Sequence, residues 1–241
     1  MSGALQVGVA GLALWNPATA VKPQPAILPP NERRRAPDSV AVALEVAQAA
    51  CRAAGRIAAQ LPTVFASTYG DLAITDYMCS TLAQAPTTLS PTRFHNSVHN
   101  AAAGYWSIAT GCQQPYSALG AGVYSFAAGL FAAAVQVCAD DTDVLLVAYD
   151  TEARGVQTEI AASRGMLGAA LVLTPSTADA RWRLRLEDQA GAADLVHSGN
   201  AMAAALPLFA ALEACTPAQL RLPFGPGSAL VVSIQRGAAK I

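Results

Sequence analysis

The chain has 241 residues, of which 53% are hydrophobic and 13% are charged, and its formal net charge is −1. This composition predicts one compact unit with a sizeable core, and it lacks the basic field that holds a nucleic-acid backbone. No stretch reaches the roughly 18–20 uninterrupted apolar residues of a membrane span, and the first residues do not read as a secretion signal, so we expect a cytoplasmic protein.

Short β-type runs alternate with Ala-rich helical runs, which predicts an α/β layered domain with a mostly buried sheet. The first predicted elements are a strand over 5–14, a Pro-rich loop over 21–37, a helix over 39–61 capped by Asp38 or Ser39, a strand over 64–67 and a helix over 71–82. The helix boundaries follow from capping residues and from the ends of the apolar periodicity.

The next elements surround an unusually apolar helix. They are a small-residue helix over 96–110 interrupted near Gly104, a turn over 111–115, a short buried strand over 116–119 and a helix over 122–138. The last of these is apolar on every face, which is typical of a helix in the middle of a molecule. Continuous apolar runs over 144–148 and 169–174 predict strands covered on both faces.

The last third of the chain has a different pattern. It predicts a half-exposed strand over 181–187, an Ala/Leu helix over 201–214, a Gly/Pro loop over 223–227 and a final strand over 228–235. We therefore expect a five-stranded mixed sheet flanked by helices from residues 1–175. We expect residues 176–241 to be a reduced segment that completes the same core, the alternative being a separate small C-terminal domain.

Five cysteines are scattered along the chain without a Cys-x-x-Cys pair: Cys51, Cys79, Cys112, Cys138 and Cys215. An odd number without such a pair indicates neither a disulfide framework nor a zinc knuckle. Most of them are interpreted as small buried hydrophobic side chains.

Several motifs, in their joint order over residues 1–175, resemble the N-terminal half of the β-ketoacyl synthases. These are thiolase-fold enzymes that condense acyl and malonyl groups carried on acyl carrier protein. The motifs are Glu32-Arg33-Arg34-Arg35 before the first long helix, the run from Ser90 to Gly104, the turn from Gly111 to Pro115, the elbow from Ser117 to Phe126, and the strand from Gly168 to Leu173. The resemblance implies a thiolase-like layered fold truncated to one half.

The likeness is strongest to short, single-half synthase-like proteins of aryl polyene and xanthomonadin-type pigment clusters. These look like counterparts of the chain-length factors of type II polyketide synthases. In the active enzymes a cysteine occupies a tight elbow at the start of a helix, where the helix dipole lowers its pKa. The resemblance places Val123 at that position. Because valine cannot form a thioester, the resemblance implies no catalytic residue in this chain.

The two catalytic histidines of the family belong to its C-terminal half. One, in a His-Gly-Thr-Gly-Thr loop, has no counterpart here, and His197 would be a remnant of the other. An enzymatic alternative remains open, in which an acyltransferase or malonyl-carrier decarboxylase uses Ser125, Cys112 or His197. Ser125 is interpreted as a capping or packing hydroxyl, and Cys112 as a buried structural thiol. A stand-alone binding protein for an apolar ligand is a third alternative, which requires a stable monomer.

Other motifs give weaker signals. His95 and His99 lie four residues apart, but no third metal ligand is evident. The run from Gly120 to Gly122 lacks the spacing of a dinucleotide loop, so neither a metal nor a cofactor is predicted. The run from Arg33 to Arg35 is interpreted as a surface edge with ion pairs, the alternative being the steering of an acidic carrier protein.

The resemblance also implies a partner. It predicts a heterodimer with a full-length β-ketoacyl synthase, joined through the strand over 116–119, and contact with acyl carrier protein through that complex. The residues expected near the two-fold axis and the partner's acyl tunnel are Tyr69, Asp71, Leu72, Arg93, Phe94, His99, Tyr116, Leu119, Val123 and Phe126. The implied function is that of a non-catalytic subunit that shapes the tunnel of an active synthase.

Overall fold

The computed structural model describes residues 3–16, 22–161, 163–176, 180–194 and 199–237. Its strands are β1 (Leu5–Trp15), β2 (Thr63–Ala66), β3 (Tyr116–Leu119), β4 (Val144–Asp150), β5 (Leu167–Pro175), β6 (Trp182–Ala190), β7 (Ala218–Gly225) and β8 (Ser228–Arg236). Its α-helices are α1 (Pro30–Arg35), α2 (Asp38–Ala54), α3 (Leu72–Gln84), α4 (Pro91–His95), α5 (Ala101–Thr110), α6 (Ser125–Asp140) and α7 (Leu206–Glu213). Short 3-10 turns cover Ala58–Gln60, Pro86–Thr88, Gly155–Glu159 and Ala203–Ala205.

All eight strands form one mixed sheet in the order β3-β2-β4-β5-β1-β6-β8-β7. The five strands predicted in the first 175 residues are all present, and the predicted layered α/β class is confirmed. The count of five was wrong, because β6 pairs antiparallel with β1 and brings β8 and β7 into the same sheet.

Strand β7 was not predicted, because Pro223 and Gly225 indicated a loop. In the structure they lie at an irregularity in the pairing of β7 with β8, where a proline is tolerated on an edge strand. The alternation of Leu220, Leu222 and Phe224 was the available signal, since all three side chains pack against one core.

Helix boundaries also differ from the predictions. Helix α2 ends at Ala54, because Gly55 takes a left-handed conformation. The helix predicted over 96–110 begins only at Ala101, and a separate short helix, α4, precedes it. A further short helix, α1, lies inside the predicted Pro-rich loop.

The helices cover both faces of the sheet. Helices α2 and α5 pack on one face around the fully buried Phe65 and Trp106. Helices α6 and α7 pack on the other face around Leu130 and Phe209, which are also fully buried. The central strands are therefore buried on both sides, as their continuous apolar sequences predicted.

Helix α6 is less enclosed than its sequence predicted. Leu130 faces the core, but Val135 is 41% exposed. The segment Gly122–Asp140 is long and apolar enough to cross a membrane by composition. In the fold it packs against β4, β2 and β1, which is the position of a core helix.

Candidate functional site

A tight elbow joins β3 to α6. Gly122 has a φ of +58°, a conformation that side chains rarely adopt, and it reverses the chain before the helix. A Cβ at Gly120 would lie 2.9 Å from the Ser67 carbonyl oxygen, so this position accepts only glycine without a shift of the backbone. The elbow presents the next side chain, Val123, to solvent with 66% of its surface exposed.

Ser125 closes the elbow from inside. Its side chain is fully buried, accepts a hydrogen bond from the Ala121 N–H at 2.9 Å and donates one to the Gly122 carbonyl at 2.7 Å. The Thr68 Oγ1 lies 3.1 Å from the Ser125 Oγ. Because its proton is held by a backbone carbonyl and its surface is covered, Ser125 acts as the packing hydroxyl that the sequence suggested.

The loop after β2 lies directly beside the elbow. Thr68 donates its hydroxyl hydrogen to the Gly122 carbonyl at 2.9 Å. His99 places its Nε2 3.0 Å from the Ser67 carbonyl oxygen, so the segment before α5 contacts the same loop. The structure thus brings Tyr69, His99 and Val123 into one neighbourhood.

Asp150 anchors this loop from below, and sequence reasoning missed it. The carboxylate is fully buried at the carboxyl end of β4. It accepts hydrogen bonds from the Thr68 N–H at 2.8 Å, the Tyr69 N–H at 3.0 Å and the Ser67 hydroxyl at 2.9 Å. Burial raises the pKa of Asp150 to about 6, and these hydrogen bonds oppose the rise. The one available signal was an acidic residue ending a continuous apolar strand.

Asp71 and Leu72 have structural roles at the start of α3. Asp71 caps the helix by accepting a hydrogen bond from the Ile74 N–H at 2.8 Å, and it accepts another from the Ser39 hydroxyl at 2.7 Å. Leu72 is buried in a small cluster with Ala153 and Ala161, against which Tyr69 packs.

The remaining predicted tunnel residues are spread over the surface and the core. Phe94 is exposed, whereas Phe126 is buried in the core beneath the sheet. The Arg93 guanidinium lies 4.0 Å from the centre of the Tyr77 ring. Arg93 also lines a separate cleft of about 1150 Å³ between α3, α4 and the start of α2, away from the elbow.

Strand β3 is an edge of the sheet, because it pairs only with β2 among the described residues. The carbonyls of Pro115 and Leu119 accept the N–H groups of Thr63 and Ser67, each at 3.1 Å. Since backbone groups alternate in direction along a strand, those of Tyr116 and Ala118 point away from β2. This free edge is therefore available for pairing with another strand.

Exposed apolar side chains flank the free edge of β3. They are Val98, Ile108, Tyr116 and Val123. Ile108 is 83% exposed on α5, next to β3. Gly104, one turn earlier on the same helix, has no atom within 4 Å of the place where a Cβ would lie. Large exposed aliphatic side chains around an unpaired strand are typical of an interaction surface.

The alternative nucleophiles and metal ligands are not assembled into a site. Cys112 is buried in the turn before β3, at the opposite end of that strand from the elbow, with its Sγ 3.5 Å from the Leu61 carbonyl oxygen. His95 ends α4 and His99 follows outside any helix, so the two do not share a helix face. No cluster of three metal-ligating side chains occurs among the described residues. His197 lies outside them.

Comparison with known proteins gives a family match and structural neighbours. A family model described as the β-ketoacyl synthase N-terminal domain matches residues 11–217. No curated protein sequence matches the chain significantly.

The ketosynthase ApeO in complex with its chain length factor ApeC, from Xenorhabdus doucetiae, contains a chain that matches with a TM-score of 0.70 and 22% identity, over 96% of this chain and 97% of that one. The type II polyketide synthase complex AntDE:AntF, an acyl-carrier protein with its ketosynthase bound to the hexaketide, matches with a TM-score of 0.75 and 10% identity, over 98% and 100%. The ishigamide ketosynthase/chain length factor matches with a TM-score of 0.60 and 17% identity, over 88% and 74%. At these identities the likeness shows a shared fold.

Proposed function

This chain belongs to the β-ketoacyl synthase family, and we propose that within it the chain is a non-catalytic, chain-length-factor-like subunit. It pairs with an active β-ketoacyl-acyl carrier protein synthase and shapes that enzyme's acyl tunnel. The observation that carries the proposal is the intact elbow, which presents Val123 to solvent. By the sequence resemblance, Val123 stands where the family needs a thiolate, so we propose that the chain keeps the backbone of the active site and lacks its nucleophile.

The free edge of β3 supports the pairing. A bare strand edge with apolar side chains around it favours association, and a partner strand would satisfy the outward backbone groups of Tyr116 and Ala118. We propose that the occupant is the equivalent edge strand of a full-length synthase. Acyl carrier protein then reaches this chain only through the complex, which we expect to act in the cytoplasm.

The structural neighbours support the same proposal. Two of them are matched over 97% and 100% of their chains, so they are about as long as this chain. One of these belongs to a complex of a ketosynthase with its chain length factor. By the sequence resemblance, we propose an aryl polyene or similar fatty-acid-type product. We further propose that residues 1–175 are the synthase-like part and that 176–241 are a reduced segment on the same core.

An enzymatic function is the rival proposal, and the geometry around its candidates does not favour it. The Ser125 proton is held by the Gly122 carbonyl. Cys112 is buried, with its Sγ 3.5 Å from the Leu61 carbonyl oxygen, so a carrier-bound acyl group does not reach it without opening of the fold.

The first prediction concerns the missing nucleophile. Incubated with acyl carrier substrates, the isolated chain should show no acyl adduct in intact mass spectrometry, because Val123 has no nucleophilic atom. The variant Val123→Cys should accept an acyl group at most and should still catalyse no condensation, since the described part of the chain places no pair of imidazoles at the elbow. An adduct on the unmodified chain would refute the non-catalytic reading, and turnover by Val123→Cys would reveal histidines that serve it.

The second prediction concerns Gly104, a half-buried residue of α5. A glycine inside a helix costs about 0.5–1 kcal/mol relative to alanine, and nothing in the chain itself occupies the space beside it. Gly104→Ala should therefore stabilise the isolated chain by about that amount in chemical denaturation. Gly104→Leu should leave the chain folded and weaken the heterodimer, because its side chain fills space that the partner approaches. Equal affinity of Gly104→Leu and the unmodified chain for the synthase would place α5 outside the interface.

A further inference from the structure

The buried carboxylate of Asp150 holds one short loop segment by three hydrogen bonds. Two come from consecutive backbone N–H groups, those of Thr68 and Tyr69, and the third comes from the Ser67 hydroxyl. The Ser67 oxygen in turn accepts the Gly70 N–H at 2.9 Å. A carboxylate that accepts several fixed donors strongly restricts the backbone that supplies them.

The same segment is held from above by the elbow and from the side by a small apolar cluster. The Thr68 hydroxyl donates to the Gly122 carbonyl at 2.9 Å. Tyr69 packs against Leu72 and Ala153, and Ala153 follows Asp150 by only three positions. The placement of Tyr69 therefore depends on residues at and just after the end of β4.

Building on the function proposed above, we propose that Asp150 is a positioning residue for Tyr69. It fixes how far Tyr69 closes the acyl tunnel of the paired synthase, and thereby the length of the product. Asp150 contacts no substrate, because its side chain is fully buried in this chain. It acts through the Thr68–Tyr69 backbone.

The protonation state of Asp150 gives a second, independent way to test its hydrogen bonds with the loop. Its pKa of about 6 results from burial, which outweighs the hydrogen bonds from the loop. Since this pKa lies above the value of an unfolded chain, the contribution of Asp150 to stability is complete at low pH and is lost as the pH rises through about 6. Above that pH the buried charge lowers the stability of the fold, whereas the hydrogen bonds from the loop to Asp150 are at their strongest, because an ionised carboxylate is the stronger acceptor.

Other titratable groups lie near Asp150, and the test must distinguish their effects from that of Asp150. They are Tyr149 on β4, Asp71 at the start of α3 and His99 before α5. Asp150, together with burial as the largest cause, raises the pKa of Tyr149 far above neutrality, so Tyr149 stays neutral near pH 6. The variant His99→Gln retains a hydrogen-bonding side chain and removes the imidazole ring.

The test combines one spectroscopic and one product measurement. In amide NMR of the chain, the Thr68 and Tyr69 resonances should titrate together with a midpoint near 6, in His99→Gln as well, and not in Asp150→Asn. In the reconstituted pair, Asp150→Asn should shift the products towards greater length. Tyr69→Ala should give the same shift, and the double variant no larger one. The control is Asp143→Asn at the other end of the same strand, where the carboxylate accepts from Arg56 at 2.5 Å and Thr174 at 2.6 Å. It should change neither measurement.

The outcomes separate this proposal from the proposed function. If the unmodified chain forms no complex with a synthase, the proposed function fails, whereas the NMR titration still reports on the anchor. If Asp150→Asn forms the complex and makes products of unchanged length, the positioning role is refuted. It is also refuted if Asp150→Asn does not pair while the unmodified chain does, or if the Thr68 and Tyr69 amide resonances are the same in Asp150→Asn and in the unmodified chain.

Discussion

Ala118→Pro should abolish pairing with a full-length β-ketoacyl synthase while the chain itself stays folded. The carbonyls of Pro115 and Leu119 accept hydrogen bonds from β2, so their backbone groups face β2. Because backbone direction alternates from residue to residue along a strand, the N–H of Ala118 points away from β2. Proline removes only that outward donor and blocks the approach of a partner strand. We expect the affinity to fall by at least about 100-fold, which corresponds to about 2.7 kcal/mol.

The matched control is Ala118→Val, which adds side-chain volume and keeps the N–H. It should pair, since valine is well suited to strands. Pull-down with the synthase measures the loss, and circular dichroism of both variants establishes that they are folded. An Ala118→Pro chain that still pairs with undiminished affinity would show that the interface does not run through the free edge of β3.

Leu130→Asp should abolish soluble expression of the chain. Leu130 is fully buried on α6 between the sheet and the helices of the same face. An unpaired carboxylate in such a place costs several kcal/mol, against a total stability of about 5–15 kcal/mol for a typical domain.

The control for this variant lies on the same helix. Val135 is 41% exposed, so Val135→Asp should express and fold, with a loss of stability below about 1 kcal/mol. Soluble yield and thermal unfolding report the difference. Normal folding of Leu130→Asp would contradict the assignment of α6 to the core.

The strands of the sheet centre were predictable because their signal is local. The apolar runs that form β4 and β5 are continuous, short and rich in Val and Leu, which is typical of a strand covered on both faces. β7 was not predictable in the same way, because Pro223 and Gly225 indicate a loop unless the partner strand is known. The number of strands was therefore underestimated although the fold class was correct.

The first residue of α6 could not be predicted from the apolar pattern either. The sequence predicted a helix from residue 122, because the run is apolar throughout, but Gly122 belongs to the elbow and the helix begins at Ser125. The position of Val123 followed from the resemblance to the family. Its exposure follows from the left-handed turn at Gly122, which an apolar pattern does not reveal.

The anchor at Asp150 was beyond sequence reasoning because its contacts are long-range. Its carboxylate and the Thr68 N–H lie 82 residues apart in sequence and meet only because β2 and β4 are neighbours in the sheet. The Asp71 carboxylate makes another long-range contact, because it accepts from the hydroxyl of Ser39, 32 residues away. Contacts of this kind depend on how the elements pack together, which a single sequence does not specify.

We propose that this chain pairs with an active synthase and acts on it without chemistry of its own. Co-expression with a full-length β-ketoacyl synthase, followed by size-exclusion chromatography with multi-angle light scattering, is the direct test of this pairing. We expect a stable one-to-one complex, with an interface of obligate type on the order of 2,000 Å² or more, and altered product length when the chain is omitted. The proposal would be contradicted if this chain stayed a monomer in the presence of the synthase and if omitting it left the product length unchanged.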